Sequence, residues 1–152
     1  MRRPSRLEGF LFSKTQIDDA TVKAYQETEY RIQGDAPFTL QIGVVSESLL
    51  IAHKSYRVDC SAFITACNPY SQKVSADENR VRQRQFANEL ARRGLIYLSG
   101  IGQHPSNQWP SEESFLVLGI NLQAAKKLGE HFDQNAIVWC GVEGLPELIM
   151  LR

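Results

Sequence analysis

The chain has 152 residues, 43% hydrophobic and 22% charged, an ordinary balance for a globular domain and enough length to bury a core. Lysine plus arginine and aspartate plus glutamate number 17 each, so the formal net charge is zero. That argues against a dedicated nucleic-acid binder, which carries a basic excess.

No apolar run approaches the roughly 20 residues of a membrane span. Phe10-Leu11-Phe12, after the basic start Met1 to Arg6, is too short for a signal-peptide core. The expectation is a cytoplasmic protein without membrane association. Cys60, Cys67 and Cys140 make an odd count without CxxC spacing, which suits reduced, buried thiols better than a disulfide framework. A nucleophilic Cys67 would need a base, and no histidine lies near it in sequence.

Residues 1–17 read as a flexible, loosely attached arm in which Arg2, Arg3 and Arg6 are most simply solvated. Residues 18–152 read as a single α+β domain. Asp18-Asp19 opens a short helix over residues 20–26, its acidic start suiting the helix dipole. Residues 28–32 and 38–42 alternate in hydrophobicity around Gly34-Asp35-Ala36-Pro37, which predicts a hairpin with one wet face. Tyr25 and Tyr30 read first as amphipathic packing residues. Val44-Val45 and Leu49-Leu50-Ile51 flank a Ser46-Glu47-Ser48 turn, and residues 52–59 read as a loop, with an edge strand or short helix as alternatives.

Residues 61–67 are apolar on both alternating faces, the pattern of a central strand, and Asn68-Pro69 ends it because proline cannot donate to the ladder. Ser75-Ala76-Asp77-Glu78 is a capping box that starts a helix running to Arg93, before Gly94. Its apolar stripe of Phe86, Ala87 and Leu90 extends back onto Gln83 and Asn79, so the helix begins with polar groups on its buried side. Arg80, Arg82 and Arg84 lie around the other faces.

Residues 95–98 form a short strand, after which Gly100-Ile101-Gly102 reads as a glycine loop. A GxG marks a dinucleotide turn only when a helix follows at once. Here His104, Pro105, Asn107 and Trp109-Pro110 follow, so a Rossmann fingerprint is rejected. Residues 114–120 are a second central strand. Asn121 caps a helix with the stripe Leu122, Ala125, Leu128 and Phe132. Residues 136–140 and 148–151 are strands around a Gly141–Gly144 turn. The early and terminal hairpins favour an α+β fold, a mixed or antiparallel sheet with about three packed helices, over a doubly wound sheet.

Several of these residues together resemble a known family. Ala24-Tyr25 with Thr28 and Tyr30, Phe63-Ile64-Thr65-Ala66 with Asn68-Pro69 and Ser71, Glu78-Asn79 with Arg82, and Gly100 with Gly102 make one half of the pattern. Trp109, Glu112-Glu113-Ser114 and Phe132 with Gln134-Asn135-Ala136 make the other. The pattern runs from about Val22 to the C-terminus and resembles domain-of-unknown-function family 3293, a family of small bacterial proteins. Cys67 stands where the resemblance implies tryptophan-like bulk. The resemblance implies a single bacterial domain and directs attention to these polar positions; it implies no substrate and no mechanism.

The chemistry is weighed on the same residues. His53, His104 and His131 lack paired-ligand spacing, so no metal and no cofactor are expected. Ser71 and Ser114 are candidate hydroxyls and His104 a candidate base, without a GxSxG elbow. Glu112 and Glu113 are adjacent and point to opposite sides of an extended backbone. Glu113, beside Trp109, is the weak candidate for a general base. Asn68, Ser71, Asn79, Arg82, Trp109, Glu113, Ser114 and Gln134 are the expected ligand-binding residues. The alternative is a polar network that only ties the loops together. The leading reading is a domain that binds a polar small molecule, nucleotide-like or phosphorylated, in a loop-lined pocket. The rival is a protein-interaction or regulatory module without catalytic activity, with another protein as its partner.

Overall fold

The computed structural model describes residues 15–106 and 109–152. Residues 1–14 of the expected arm, with Arg2, Arg3 and Arg6, lie outside the described residues, as does Asn107. The elements run α1 (Asp19–Glu27), β1 (Glu29–Ile32), β2 (Phe38–Leu40), α2 (Glu47–Ser55), β3 (Ser61–Ile64), a single 3-10 turn (Pro69–Ser71), α3 (Ala76–Arg92), β4 (Tyr97–Gln103), β5 (Glu112–Leu118), α4 (Leu122–His131), β6 (Ala136–Cys140) and β7 (Pro146–Met150). The strands form one seven-stranded sheet in the order β2-β1-β4-β5-β3-β6-β7, and every neighbouring pair is antiparallel. The fold is α+β with an antiparallel sheet, as the hairpins at both ends of the chain imply.

Each face of the sheet carries its own core. Strand alternation puts Ala62, Ile64, Val117 and Ile137 on one face, where Phe86 and Leu90 of α3 and Ala125 and Leu128 of α4 cover them. Tyr30, Ile32, Leu40, Phe63, Leu116, Leu118, Val138 and Cys140 lie on the other face, with Leu49 of α2 packed on them. The strands over residues 61–64 and 112–118 are central, as their two-sided apolar pattern predicts.

Four α-helices are described where about three were expected. The additional one, α2, lies in the stretch read as a turn and a loop, where a short helix stood as an alternative for residues 52–59. Ser46 caps it by accepting from the Leu49 N–H at 3.1 Å, Glu47 sits in its first turn, and Leu49 and His53 bury one side. The aliphatic run Leu49-Leu50-Ile51 resembles a strand, but only Leu49 and then His53, four residues on, face inward. Ser75 caps α3 as expected, accepting from the Glu78 N–H at 3.1 Å. Gln83 is buried on its inner side with Phe86 and Leu90.

The second central strand begins at Glu112 and ends at Leu118 rather than spanning 114–120, the closing strand is Pro146–Met150 rather than 148–151, β2 ends at Leu40 rather than residue 42, and two further differences have a visible cause. β3 ends at Ile64 rather than Cys67, because the Thr65 hydroxyl takes over the pairing: it donates to the Glu113 carbonyl at 2.6 Å and accepts from the Cys67 N–H at 3.0 Å. β4 is longer and contains Gly100 and Gly102, which the sequence reading put in a loop. The reason is steric. The Phe63 ring, two strands away on β3, lies against Gly100: a Cβ there would sit 2.7 Å from Phe63 Cε2 and 2.9 Å from the Arg31 carbonyl oxygen. Glycine is present so that a ring can approach the backbone.

Ser75→Ala is expected to lower the unfolding free energy by about 1 kcal/mol through loss of the cap. Gly100→Ala is expected to cost more, roughly 2 kcal/mol, since the added methyl must displace either Phe63 or the Arg31 backbone. Chemical denaturation of both variants checks the order, and a Gly100→Ala protein as stable as its parent would show that the ring contact is not tight.

Candidate functional site

The small residues of β4 and β5 leave a trough on the face that carries Phe63. Gly100 pairs with Ser114 and Gly102 with Glu112, so two glycines and a serine stand between the larger residues of β1 and β3. Across them the Tyr30 and Phe63 rings meet edge to face, with centroids 5.2 Å apart at 72°. Val138 of β6 and Leu148 of β7, directly paired, continue the apolar floor. Above it lies α1, with Ala20, Thr21, Ala24 and Tyr25 as the roof. Between roof and floor is a cavity of about 370 Å³, a size suited to a small molecule.

The roof is fastened by hydrogen bonds from distant parts of the chain. The Tyr30 hydroxyl donates to the Tyr25 carbonyl at 2.5 Å. The Tyr25 hydroxyl and Ser71 Oγ are 2.5 Å apart, and Asn135 Nδ2 donates to Ser71 Oγ at 3.0 Å. At the C-terminus of α1, beside Tyr25, His104 Nε2 meets Glu27 Oε1 at 2.9 Å, while His104 Nδ1 accepts from the Ser106 N–H at 3.1 Å. The candidate base is therefore engaged through both ring nitrogens.

One wall is the loop after β3. Asn68, Tyr70 and Ser71 all adopt left-handed backbone conformations, with φ of 50°, 54° and 58°. Such conformations cost non-glycine residues on the order of 1 kcal/mol each and persist where the surroundings enforce them. The surroundings are visible. The Asn68 N–H donates to Asn79 Oδ1 at 2.8 Å, and Asn68 Oδ1 accepts from Asn79 Nδ2 at 3.0 Å and from the Val74 N–H at 3.1 Å. Gln134 Nε2 donates to the carbonyls of Cys67 and Phe132, both at 3.1 Å. Arg82 donates to the Ala66 carbonyl through Nε and to the Phe132 carbonyl through Nη2, both at 2.6 Å, and lies 3.5 Å from Asp133.

Glu112 is the carboxyl that enters the cavity. It is half-buried, and its Oε2 accepts from Asn68 Nδ2 at 2.7 Å and from Trp109 Nε1 at 3.1 Å. Among the described residues no donor is bonded to Oε1, which leaves that oxygen for the cavity. Burial pushes the Glu112 carboxyl above its ordinary value of 4.5, against the two hydrogen bonds that pull it down.

Asn68, Ser71, Trp109, Ser114 and Gln134 line this cavity, five of the eight positions expected to bind ligand. Asn79 and Arg82 stand behind the wall and hold it. Asn68 and Asn79 are hydrogen-bonded to each other, but Glu113, expected with them among the ligand-binding residues, is elsewhere. Its side chain is exposed and does not line the cavity, because it points to the opposite side of β5 from Ser114. Glu112, part of the family pattern but not among the expected ligand-binding residues, occupies the inward position. The signal was available: Ser114 and the residue two before it share a face, and that residue is Glu112. Thr28, Thr65, Val138 and Leu148 are further lining residues that periodicity alone did not mark.

The thiols are poor nucleophiles here. Burial pushes the Cys67 thiol up, and its sulfur is 3.5 Å from the Glu113 carbonyl; Cys140 is pushed up to about 12 by burial. Among the described residues, no group of three His, Cys, Asp or Glu side chains could hold a metal ion, and no helix is long and apolar enough to cross a membrane.

Two predictions follow the geometry. The folded pKa of Glu112 lies above the unfolded one, so the stability it confers is full below pH 4.5 and is lost as pH rises through the raised folded value. Glu112→Gln removes that loss, so the variant's unfolding midpoint relative to its parent is expected to climb as pH rises from about 4.5 through the raised folded value. A difference that stays flat with pH would mean the carboxyl is not desolvated. Arg82→Ala strands the Ala66 and Phe132 carbonyls and is expected to cost roughly 3 kcal/mol of unfolding free energy; a loss under about 1 kcal/mol would assign the guanidinium no part in holding the wall.

In comparisons with known proteins, residues 64–137 match the model of a family described as a protein of unknown function, DUF3293. No curated protein and no solved structure matches the chain.

Proposed function

We propose that this chain, which carries a DUF3293 domain, binds a small molecule with an apolar body and a hydrogen-bond-donating head. The observation that carries the reading is the cavity beneath α1, with an apolar floor of Phe63, Val138 and Leu148 and a desolvated carboxyl, Glu112, at its polar end. A carboxyl held by Asn68 and Trp109 through one oxygen offers the other to a donor on a guest. Desolvation makes that bond stronger than it would be in water.

A nucleotide-like or phosphorylated guest fits less well. Among the described residues no lysine or arginine lines the cavity, and Arg82, the expected anion contact, spends its guanidinium on backbone carbonyls. A phosphate would therefore face Glu112 without a countercharge. Asn68, Ser71, Trp109, Ser114 and Gln134 remain the proposed contacts, joined by Glu112.

The interaction-module reading has one observation in its favour. Val44, Val45 and Val142 are each more than half exposed, at 53%, 55% and 64%. The loops that carry them are tied by the Ser46 N–H to the Gly144 carbonyl and the Gly43 N–H to the Pro146 carbonyl, both at 2.9 Å. Cavity binding and this apolar surface are separable by substitution.

A thermal-shift screen of small metabolites against the parent and against Ala24→Phe tests the proposal. Ala24 is a half-buried roof residue, and the larger ring fills the cavity from above. The expected outcome is a set of guests that raise the parent's midpoint and leave the variant's unchanged. Guests that act equally on both proteins would place binding elsewhere.

A further inference from the structure

We infer that the head group this cavity selects is an organic ammonium, so that its guests are amines. The inference rests on the cavity being a binding site, and it adds the charge of the guest.

Three observations converge. The charged side chains lining the cavity among the described residues are the carboxylates of Asp18 and Glu112, with no lysine or arginine to neutralise them. Asp18 is the cap of α1 at the rim, already accepting from the Thr21 N–H at 2.7 Å, and Glu112 is the inner one. His104 is engaged elsewhere: its Nδ1 accepts the Ser106 N–H and its Nε2 meets Glu27 Oε1.

The second observation is aromatic. Tyr25, Tyr30, Phe63 and Trp109 all line the same space, and the faces of such rings attract cations. Trp109 also donates its indole N–H to Glu112, so the edge of an aromatic ring meets the carboxyl, with Nε1 3.1 Å from Oε2. The third is the disposition of the carboxyl itself. Asn68 and Trp109 fix its orientation through Oε2, while Oε1 takes no bond from a described residue. A half-buried carboxylate that no described lysine or arginine accompanies in the cavity is completed by a cation on the guest. An alcohol could also donate to Oε1, but it would leave the negative charge uncompensated, and a carboxylate guest would add to it.

The test holds the body of the guest constant and changes its head. 3-Phenylpropylamine, 3-phenylpropanol and 3-phenylpropionate are titrated calorimetrically against the parent protein at neutral pH. The expected order is amine, then alcohol, then carboxylate, with the amine preferred over the alcohol at least tenfold. In Glu112→Gln, which keeps an acceptor for Asn68 and Trp109, the amine should lose that tenfold advantage while alcohol binding persists; the retained binding also reports that the variant is folded. Equal affinity for amine and alcohol, or an amine preference that survives Glu112→Gln, overturns the inference and leaves the cavity standing as a site. Absence of binding by all three probes at millimolar concentration overturns both.

Discussion

The Phe63 ring resting on the backbone of Gly100 is the contact from which the rest of this face follows. A ring on β3 reaches across β5 to β4 only because Gly100 and Ser114 are small, and it meets Tyr30 from β1 over the same gap. Those two rings, joined over four strands, make a floor that is apolar yet lower than its surroundings. A larger residue at Gly100 would lift Phe63 into the space under α1. The size of one residue in the middle of a strand thus determines whether the sheet carries a hollow or a filled core.

The polar residues around the hollow divide into two groups. Asn79, Gln134 and Arg82 direct hydrogen bonds at backbone groups of residues 66–68 and 132, and the result is a loop locked in left-handed conformations. Asn68 and Trp109 point instead at Glu112 and set its rotation. One set defines where the wall is; the other defines which oxygen of the carboxyl is offered to the interior. Strain in the wall is balanced by bonds that come from two other elements, α3 and the segment after α4. A ligand that binds here therefore meets groups whose positions are already set.

Much of the fold was legible from patterning. The acidic start Asp18-Asp19, the caps Ser75 and Asn121, the two-sided apolar strands and the hairpins at each end are local signals, and each element they mark is present. Helix α2 was not legible because its aliphatic residues are consecutive in sequence, while only one of them, with a histidine, faces the core. The glycines of β4 were misplaced for a related reason: a glycine that makes room for a ring two strands away looks, in one dimension, like a glycine that makes a turn. For the candidate site, Asn68, Ser71, Trp109, Ser114 and Gln134 were found by type and by position near element ends. The choice between Glu112 and Glu113 turned on strand parity, which Ser114 sets. The roles of Asn79 and Arg82 depend on how α3 lies against the loop after β3, and no local pattern encodes that.

The bonds that close the hollow join residues far apart along the chain. Tyr25 and Ser71 are separated by 46 positions, Asn135 and Ser71 by 64, and Asn135 and Tyr25 by 110. Hairpins and helices form from neighbours, but these contacts each require a long loop to close first. Closing the chamber therefore requires both ends of the sequence to be gathered onto the sheet. In a partly folded chain the sheet's central strands can be present while the chamber is absent, so protection of the α1 amides from hydrogen exchange reports on assembly of the whole rather than on helix formation.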